Sequence, residues 1–269
     1  MNNALDNNAV EPTFSTAAQD AFFESIEAEL AKVASPRRVR RSTGMMKDAA
    51  GRDDPSPDAS VVGPSLVVFE QRLSAEDRQC ALDSQAFAEA VVSRMPADTS
   101  QEKRYEKYNE CLAAAGWPME SFTRKQYESK ELTLTMNEAL LQVLKTVISA
   151  GSGNVLNLVL SGFEQLKGDA KALTIIDSGS KNSQLVSFKA VPCIVAPGGG
   201  MAMVMGGLDV YSKNYRGNFL FFTFNTAGVR IFQAAGLRHF NRRAYERKRN
   251  EIEAYVDQFG ADLFAKLVG

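Results

Sequence analysis

The stretch that most constrains the fold of this 269-residue chain runs from Gln184 to Phe232. Apolar and polar residues alternate along it with a period of two, and turn residues separate the runs, a pattern typical of β-strands. The spacers between the runs are too short for the crossover that parallel neighbours need, so we expect antiparallel pairing. The pattern predicts strands at Gln184–Val195, Met201–Ser212, Asn218–Phe224 and Gly228–Phe232.

Two of these strands carry the details of the prediction. In the first, Val186, Phe188 and Ala190 point to one side of the sheet, and Ser187 and Lys189 point to the other. The third strand is apolar on both faces, which predicts a central position with cover on both sides. Since the sequence on either side has helical patterning, we predict an α+β fold: an antiparallel sheet of about four strands at residues 184–232, covered by helices, after a mainly helical N-terminal half.

Capping signals predict where several helices begin and end. Ser74 and Thr135 begin helices in the pattern of a capping box, and Gly116 ends one. We assign residues 1–64 to an N-terminal arm and residues 65–269 to a single globular domain. That domain comprises a helical hairpin (65–128), helices with the sheet (129–236) and a C-terminal helix (241–268).

The N-terminal arm contains an acidic amphipathic helix and a basic linker. The helix, residues 15–33, carries an apolar stripe that either docks on the domain or is bound by a partner's groove. The linker is rich in Pro, Ser and Gly, with too few apolar residues to fold alone. Its arginines either contact phosphate, a membrane surface or a protease, or pair with the acidic helix; they are Arg37, Arg38, Arg40 and Arg41.

A second basic cluster opens the C-terminal helix. Cations at a helix N-terminus oppose the helix dipole, so the arrangement suggests a further purpose. One interpretation is binding to phosphate groups of lipid or nucleic acid. The alternative is pairing with the acidic N-terminal helix and with Glu246, Glu251 and Glu253. The members of this cluster proposed for partner or anionic-surface binding are Arg238, Arg242, Arg243 and Arg247.

One short motif points to chemistry. Ile175-Ile176-Asp177-Ser178-Gly179-Ser180 resembles the signature of pepsin-like and retroviral aspartic proteases. The resemblance implies a homodimer, since two such loops share a proton in that family, and it makes Asp177 the carboxylate that activates the nucleophile. The alternative is an ordinary Asp-Ser-Gly-Ser turn. Gly198-Gly199-Gly200 is followed by a Met-rich strand and not by Lys-Ser/Thr and a helix, which indicates a hairpin turn and not a phosphate loop.

Composition narrows the function classes. A single histidine and three widely spaced cysteines lack metal-ligand spacing, so we expect no metal and no cofactor. A net charge of −1 gives no reason to expect nucleic acid. The N-terminus has no secretory pattern, so we expect cytoplasmic synthesis, with signal-independent export left open. Cys193 is either an inert buried thiol or a lipid-exposed, acylated one.

Two uncharged stretches, residues 146–163 and 190–208, are either core or membrane-active, and glycines and prolines interrupt both. Three function classes follow. The first is a non-enzymatic interaction protein that docks a protein partner through its arm and basic linker. The second is a membrane- or lipid-associating delivered effector or toxin, with anionic lipid as the partner. The third is a dimeric aspartyl hydrolase, and an enzyme is the less favoured class. The sequence does not assign the oligomeric state.

Overall fold

The structure is a computed structural model that describes residues 15–32, 59–127, 133–148, 153–182, 185–196, 198–211, 223–225, 230–259 and 264–267. Its helices are α1 Thr16–Lys32, α2 Ala75–Ser93, α3 Gln101–Ala114, α4 Met136–Lys145, α5 Gly153–Gly168, α6 Ala170–Ser180 and α7 Arg242–Phe259. Its strands are β1 Ala59–Val62, β2 Ser65–Phe69, β3 Met119–Gln126, β4 Thr133–Thr135, β5 Lys181–Asn182, β6 Leu185–Val195, β7 Met201–Tyr211, β8 Thr223–Asn225, β9 Arg230–His239 and β10 Phe264–Leu267.

A mixed sheet forms the centre of the fold. Among the described residues it has eight strands in the order β10-β1-β2-β6-β7-β9-β3, with β5 paired to β6. The hairpin β6–β7 is antiparallel, as predicted, with Phe188 opposite Leu208. The pair β2–β6 is parallel, with Ser65 opposite Lys189. The α+β class is therefore confirmed, whereas a purely antiparallel sheet of about four strands is wrong.

Four differences from the predicted elements have physical reasons. Strand β8 contains the end of the predicted third strand, and it pairs with β4 in a separate two-stranded sheet, so this part is not central. Residues 218–222 of the predicted strand lie outside the described residues. Strand β9 continues to His239 because its partners β7 and β3 both extend alongside it. The sheet begins at β1, before residue 65, and the predicted helix 241–268 ends at Phe259. Both differences arise because β1 and β10 pair, and only long-range contacts create that pairing.

The helix boundaries follow local capping chemistry. Ser74 accepts a hydrogen bond from the Asp77 backbone N–H at the start of α2, and Thr135 forms a complete capping box with Glu138 at the start of α4. Gly116 follows α3 with φ of +88°, a conformation that glycine adopts without strain. These sequence predictions are confirmed.

Alternation along the strands gives the sheet two unlike sides. We call the side that carries Ser65, Ser187, Lys189, Asp209 and Arg238 the polar face; α2 and α3 cover it, and α1 and α7 pack on α2 and α3. The other side we call the apolar face, and α4, α5 and α6 cover it. Its buried strand residues are Ala59, Val61, Leu66, Val68, Val186, Phe188, Ala190, Val204, Leu208, Val210, Ile231 and Ala235.

Candidate functional site

Helix α1 is docked on the body of the protein. Phe23 and Ile26 are buried, and the ring of Phe23 stacks on Phe87 of α2 with centroids 5.4 Å apart. Gln19 donates to the carbonyl oxygens of Ala114 at 2.7 Å and Ala244 at 2.9 Å, which ties α1 to α3 and α7. Of the two alternatives for this helix, the structure shows the docked one.

The C-terminal basic cluster is largely engaged within the molecule. Arg238 is buried, 1% exposed, and donates to Asn109 and to the Trp117 carbonyl, so its side chain does not reach a surface. Arg242 pairs with Glu76 and Asp77 of α2, and Arg247 donates to Gln19 of α1. Neighbouring cations behave alike: Lys248 pairs with Asp20, and Arg249 with Glu246 and Glu253.

The pairing alternative describes Lys248 and Arg249, whereas Arg242 pairs most closely with acids of α2, which are not among the predicted partners, and Arg247 contacts the neutral Gln19. Arg243 is exposed. The proposed role of Arg238 in surface binding is wrong because burial removes it from any partner. Arg37, Arg38, Arg40 and Arg41 lie outside the described residues.

Asp177 and Cys193 occupy positions that disfavour the roles proposed for them. Asp177 lies inside helix α6, so its Asp-Ser-Gly-Ser segment is helical and does not form the loop that the aspartic protease resemblance implies. Cys193 is fully buried on the polar face, and burial raises the pKa of its thiol well above the ordinary value. A buried, protonated thiol is a poor nucleophile.

Asp209 is the centre of a buried polar network. Its side chain is 1% exposed and accepts hydrogen bonds from Ser187 at 2.8 Å, Gln101 at 3.0 Å and Arg124 at 3.0 Å. Burial raises the pKa of Asp209, and the bonds from Ser187 and Arg124 oppose that rise. The network joins β7 and β6 to α3 and to the edge strand β3.

A second network joins α2 to the middle of the sheet. Lys189 and Glu89, both nearly buried, form an ion pair of 2.9 Å, and Ser65 donates to the same carboxylate oxygen at 2.6 Å. Tyr108 donates to Gln85, whose amide contacts the Met203 sulfur. Removing one member of such a buried pair costs several kcal/mol because the other charge is left uncompensated. Helix α2 is thus tied to the polar face by an ion pair, and α3 by the hydrogen bond that Gln101 donates to the buried Asp209.

Sequence reasoning placed Lys189 and Ser187 on their correct side but missed Asp209, Glu89 and Arg124 as their partners. Two charges within otherwise apolar strands were the available signal, because a charge at a covered strand position requires a partner.

The contacts between the apolar face and α4–α6 are of a different kind. Buried apolar side chains of the helices pack against the apolar strand residues; they include Leu140, Leu144, Val159 and Phe163. Backbones approach closely: a Cβ on Gly206 of β7 would lie 2.8 Å from Leu144, and one on Gly162 of α5 would lie 2.5 Å from Val68. A described polar contact at the margin of this layer is the hydrogen bond from Tyr127 to Gln142 of α4. Apolar surface dominates this interface.

Two further observations concern membrane crossing and metal binding. Within the described ranges, no helix combines the length and hydropathy that a bilayer crossing requires. Over the same residues, no set of three or more His, Cys, Asp and Glu side chains is placed to hold a metal ion.

Comparisons with known proteins give structural likeness only. No family model matches the chain, and no curated protein does. The activated Cyt2Ba monomer from Bacillus thuringiensis subsp. israelensis is 11% identical with a TM-score of 0.40, over 66% of this chain and 97% of its own. The Evf virulence factor is 11% identical with a TM-score of 0.39, over 90% of each chain. A delta-endotoxin is 16% identical with a TM-score of 0.37, over 77% of this chain and 91% of its own.

Proposed function

We propose that this chain is a membrane-associating protein of the delivered effector or toxin type. In the proposed transition, helices α4–α6 separate from the sheet and the apolar face then contacts lipid. The polar face keeps its cover of α2 and α3. The difference between the two helix–sheet interfaces carries this proposal.

The polar-face interface resists separation. Opening it against a bilayer would separate Lys189 from Glu89 and place Lys189 and Asp209 of the sheet at hydrocarbon. A charged side chain at the bilayer centre costs at least about 2.5 kcal/mol. Helices α2 and α3 are therefore expected to stay on the sheet.

The apolar-face interface has a cost of opening that depends on the surroundings. In water, separation exposes aliphatic side chains at about 25 cal/mol for each Å². Against lipid that cost largely disappears, because hydrocarbon chains are as apolar as leucine. A membrane thus lowers the free energy of the open form relative to water, and it does so selectively for this layer.

The backbone of the sheet suits contact with hydrocarbon. Strand β6 is paired on one side with β2 and on the other with β7, and β7 is paired in turn with β9. Backbone polar groups within this central region are therefore hydrogen-bonded inside the sheet, which is the condition for polypeptide in a lipid environment.

The hypothesis of a partner bound through the N-terminal arm stays a prediction. Its helical part, α1, uses Phe23 and Ile26 to pack on the body, so those side chains are not available in the described arrangement. Its basic part lies outside the described residues.

Vesicle flotation with neutral and with anionic lipids, each at low and high salt, tests the proposal. Apolar contact predicts binding to both lipid types that survives high salt, because screening weakens only charge-based attraction. Binding to anionic vesicles alone, abolished by salt, would assign the association to arginines and contradict the proposed transition. Protein that stays unbound in every tube would eliminate the membrane proposal.

A further inference from the structure

Helix α5 carries more apolar surface than the sheet covers. Three of its apolar side chains are buried against the body of the protein: Val155, Val159 and Phe163. Leu156 and Leu158 are only partly buried. Leu160 is 41% exposed, and in the described part of the chain it is the large apolar side chain that is exposed. The closed structure therefore leaves part of this apolar surface in water.

A helical projection gives the width of this apolar surface. Successive residues are rotated by about 100°, so Leu158 and Leu160 lie at the two edges of an arc of about 200°. The other apolar side chains named above fall inside that arc. The remaining side of the helix carries what we call the polar stripe, which consists of Asn154, Asn157 and Ser161, all exposed. Helix α5 thus has a broad apolar arc and a narrow polar stripe.

The polar stripe has no charge, and this distinguishes α5 from the helices beside it. The first charged residues of α5 are Glu164 and Lys167, near its C-terminal end, and they pair with each other at 2.6 Å. The exposed side of α4 instead carries Glu138 and Lys145, and that of α6 carries Lys171. Because charged side chains are the costly ones in hydrocarbon, α5 is the helix of this layer that lipid accepts most readily.

The width of the apolar arc indicates what covers it. A helix that packs on one flat surface needs an apolar stripe of about 100°. An arc of about 200° exceeds what a sheet or a flat partner protein covers, and the exposure of Leu160 in the closed structure shows this. Acyl chains surround a helix on three sides, so they cover the whole arc and leave the polar stripe towards the headgroups.

The length of the uncharged part determines how the helix lies. Residues 154–163 rise by about 15 Å in total. The hydrocarbon core of a bilayer is about 30 Å thick, so this part does not cross it. A helix axis parallel to the membrane plane satisfies both the arc and the length. In that orientation Lys167, which follows on the apolar side, reaches the headgroups with its long side chain.

We infer that α5 is the lipid-binding helix of the separated layer and lies in the plane of the bilayer interface. Its polar stripe then faces the headgroups, and Leu156, Leu158 and Leu160 lie among the acyl chains. This inference rests on the proposed function, because the sheet covers the centre of the arc until α5 separates. A single myristoyl chain binds membranes only marginally, so the one exposed leucine does not hold the closed protein on a vesicle.

Flotation with neutral vesicles over a series of lipid concentrations measures the contribution of Leu160. Leu160→Asn places an amide in the apolar arc and should weaken the apparent affinity for vesicles by about tenfold or more, because burial of a leucine side chain is lost. Ser161→Asn is the matched control, since it changes the next residue and keeps the stripe polar; it should float as the wild type does. Both positions are exposed, and thermal unfolding verifies that each variant folds.

A fluorescent label on each of these two residues measures the orientation of the helix. Leu160→Cys and Ser161→Cys are each labelled with an NBD maleimide in the folded full-length protein, and wild type treated in parallel gives the background from the three buried native cysteines. With vesicles whose acyl chains are brominated, the label at residue 160 should shift its emission to the blue and be quenched. The label at residue 161 should be quenched much more weakly.

Weaker flotation of Leu160→Asn than of Ser161→Asn, with stronger quenching at residue 160, supports the inference. Equal flotation of the two variants, or quenching at neither residue, would overturn it while the proposed function stands. Equal quenching at both residues would overturn the in-plane orientation. A lipid-free dimer that Leu160→Asn dissociates in sedimentation would assign the apolar arc to a second copy of the chain and also overturn it. Wild type that never floats would refute the proposed function, and this inference with it.

Discussion

Replacing Asp83 with asparagine should stabilise the protein at neutral pH. Asp83 lies on α2, is 8% exposed, and accepts hydrogen bonds from Gln79 at 2.8 Å and from Tyr245 of α7 at 3.3 Å. Burial raises the pKa of this carboxyl from 3.8 to about 6; the nearby carboxylate of Glu253 adds to the rise, and the bond from Gln79 opposes it. The folded state therefore resists ionisation of Asp83.

The raised pKa determines both the sign and the size of the effect. Below pH 3.8 Asp83 is protonated in the folded and unfolded states, and it imposes no penalty. As the pH rises towards 6 the unfolded state ionises first, so stability falls; above that the full penalty applies. The interval between these values, at about 1.4 kcal/mol per pH unit, gives a penalty of about 3 kcal/mol. Asparagine keeps an acceptor for Gln79 and carries no charge.

Urea unfolding of the wild type and of Asp83→Asn at pH 7.5 and at pH 3.5 measures this difference. We expect the variant to have the larger free energy of unfolding at pH 7.5, by up to about 3 kcal/mol, and the advantage to disappear at pH 3.5. Asp98→Asn, at an exposed position, is the control and should change little at either pH. A variant that is less stable than the wild type at pH 7.5, or a difference that does not depend on pH, would refute the reasoning.

Three further predictions concern the polar face and its surroundings. Lys189→Met should lower the free energy of unfolding by about 3–5 kcal/mol, because Glu89 is left charged and buried. Adding Glu89→Gln should recover most of the loss, and urea unfolding of the single and double variants checks both expectations. Gly116→Ala should cost about 1–3 kcal/mol in the same assay, because φ is +88° and a Cβ would lie 2.8 Å from the Asn241 carbonyl oxygen; an unchanged midpoint would contradict the strain. Cys193 should resist a water-soluble maleimide until urea unfolds the protein, and mass spectrometry that finds it modified in the native state would contradict its burial.

Local chemistry made part of the fold predictable. The hairpin β6–β7 follows from alternation on either side of a Gly-rich turn. Strand β6 begins one residue later than predicted, and strand β7 ends one residue earlier. The helix starts at Ser74 and Thr135 depend on hydrogen bonds between a side chain and a residue three positions later.

Contacts between distant parts of the chain set the rest. Strand β1 joins the sheet because Ala59 lies opposite Leu267, near the other end of the sequence. Strand β3 is an exposed edge with no apolar alternation, so its pairing with β9 leaves no period-two signal. The partners of Asp209 are equally remote, since Arg124 lies 85 positions earlier. A charged residue within an apolar strand predicts that a partner exists, but the sequence does not identify that partner.

Long-range contacts also bear on the alternatives that the sequence leaves open for the basic cluster and for Cys193. Acidic partners of basic residues near the start of α7 include Asp20 and Glu76, which are far away in sequence. Cys193 lies on the polar face behind α2 and α3, which alternation alone does not show. The sequence does not show which helices cover which side of the sheet. The difference between the polar face and the apolar face is therefore visible only in the structure.

A disulfide that locks α5 to the sheet tests the central claim most directly. A Cβ on Gly162 would lie 3.8 Å from the Cβ of Ala59 on β1, the mean separation of bonded cysteines. The same Cβ would meet a Val68 methyl group at 2.5 Å, so Val68→Ala accompanies the pair Ala59→Cys and Gly162→Cys. Val68→Ala alone is the control, and the three native cysteines are buried and unpaired.

Flotation of this variant with neutral vesicles, before and after reduction, gives the decisive comparison. If separation of α4–α6 exposes the lipid-binding face, the oxidised protein stays unbound, and the reduced protein floats with the vesicles as Val68→Ala does. Equal flotation of the oxidised and reduced forms would contradict the claim, because lipid binding would then occur with α5 still fixed on the apolar face.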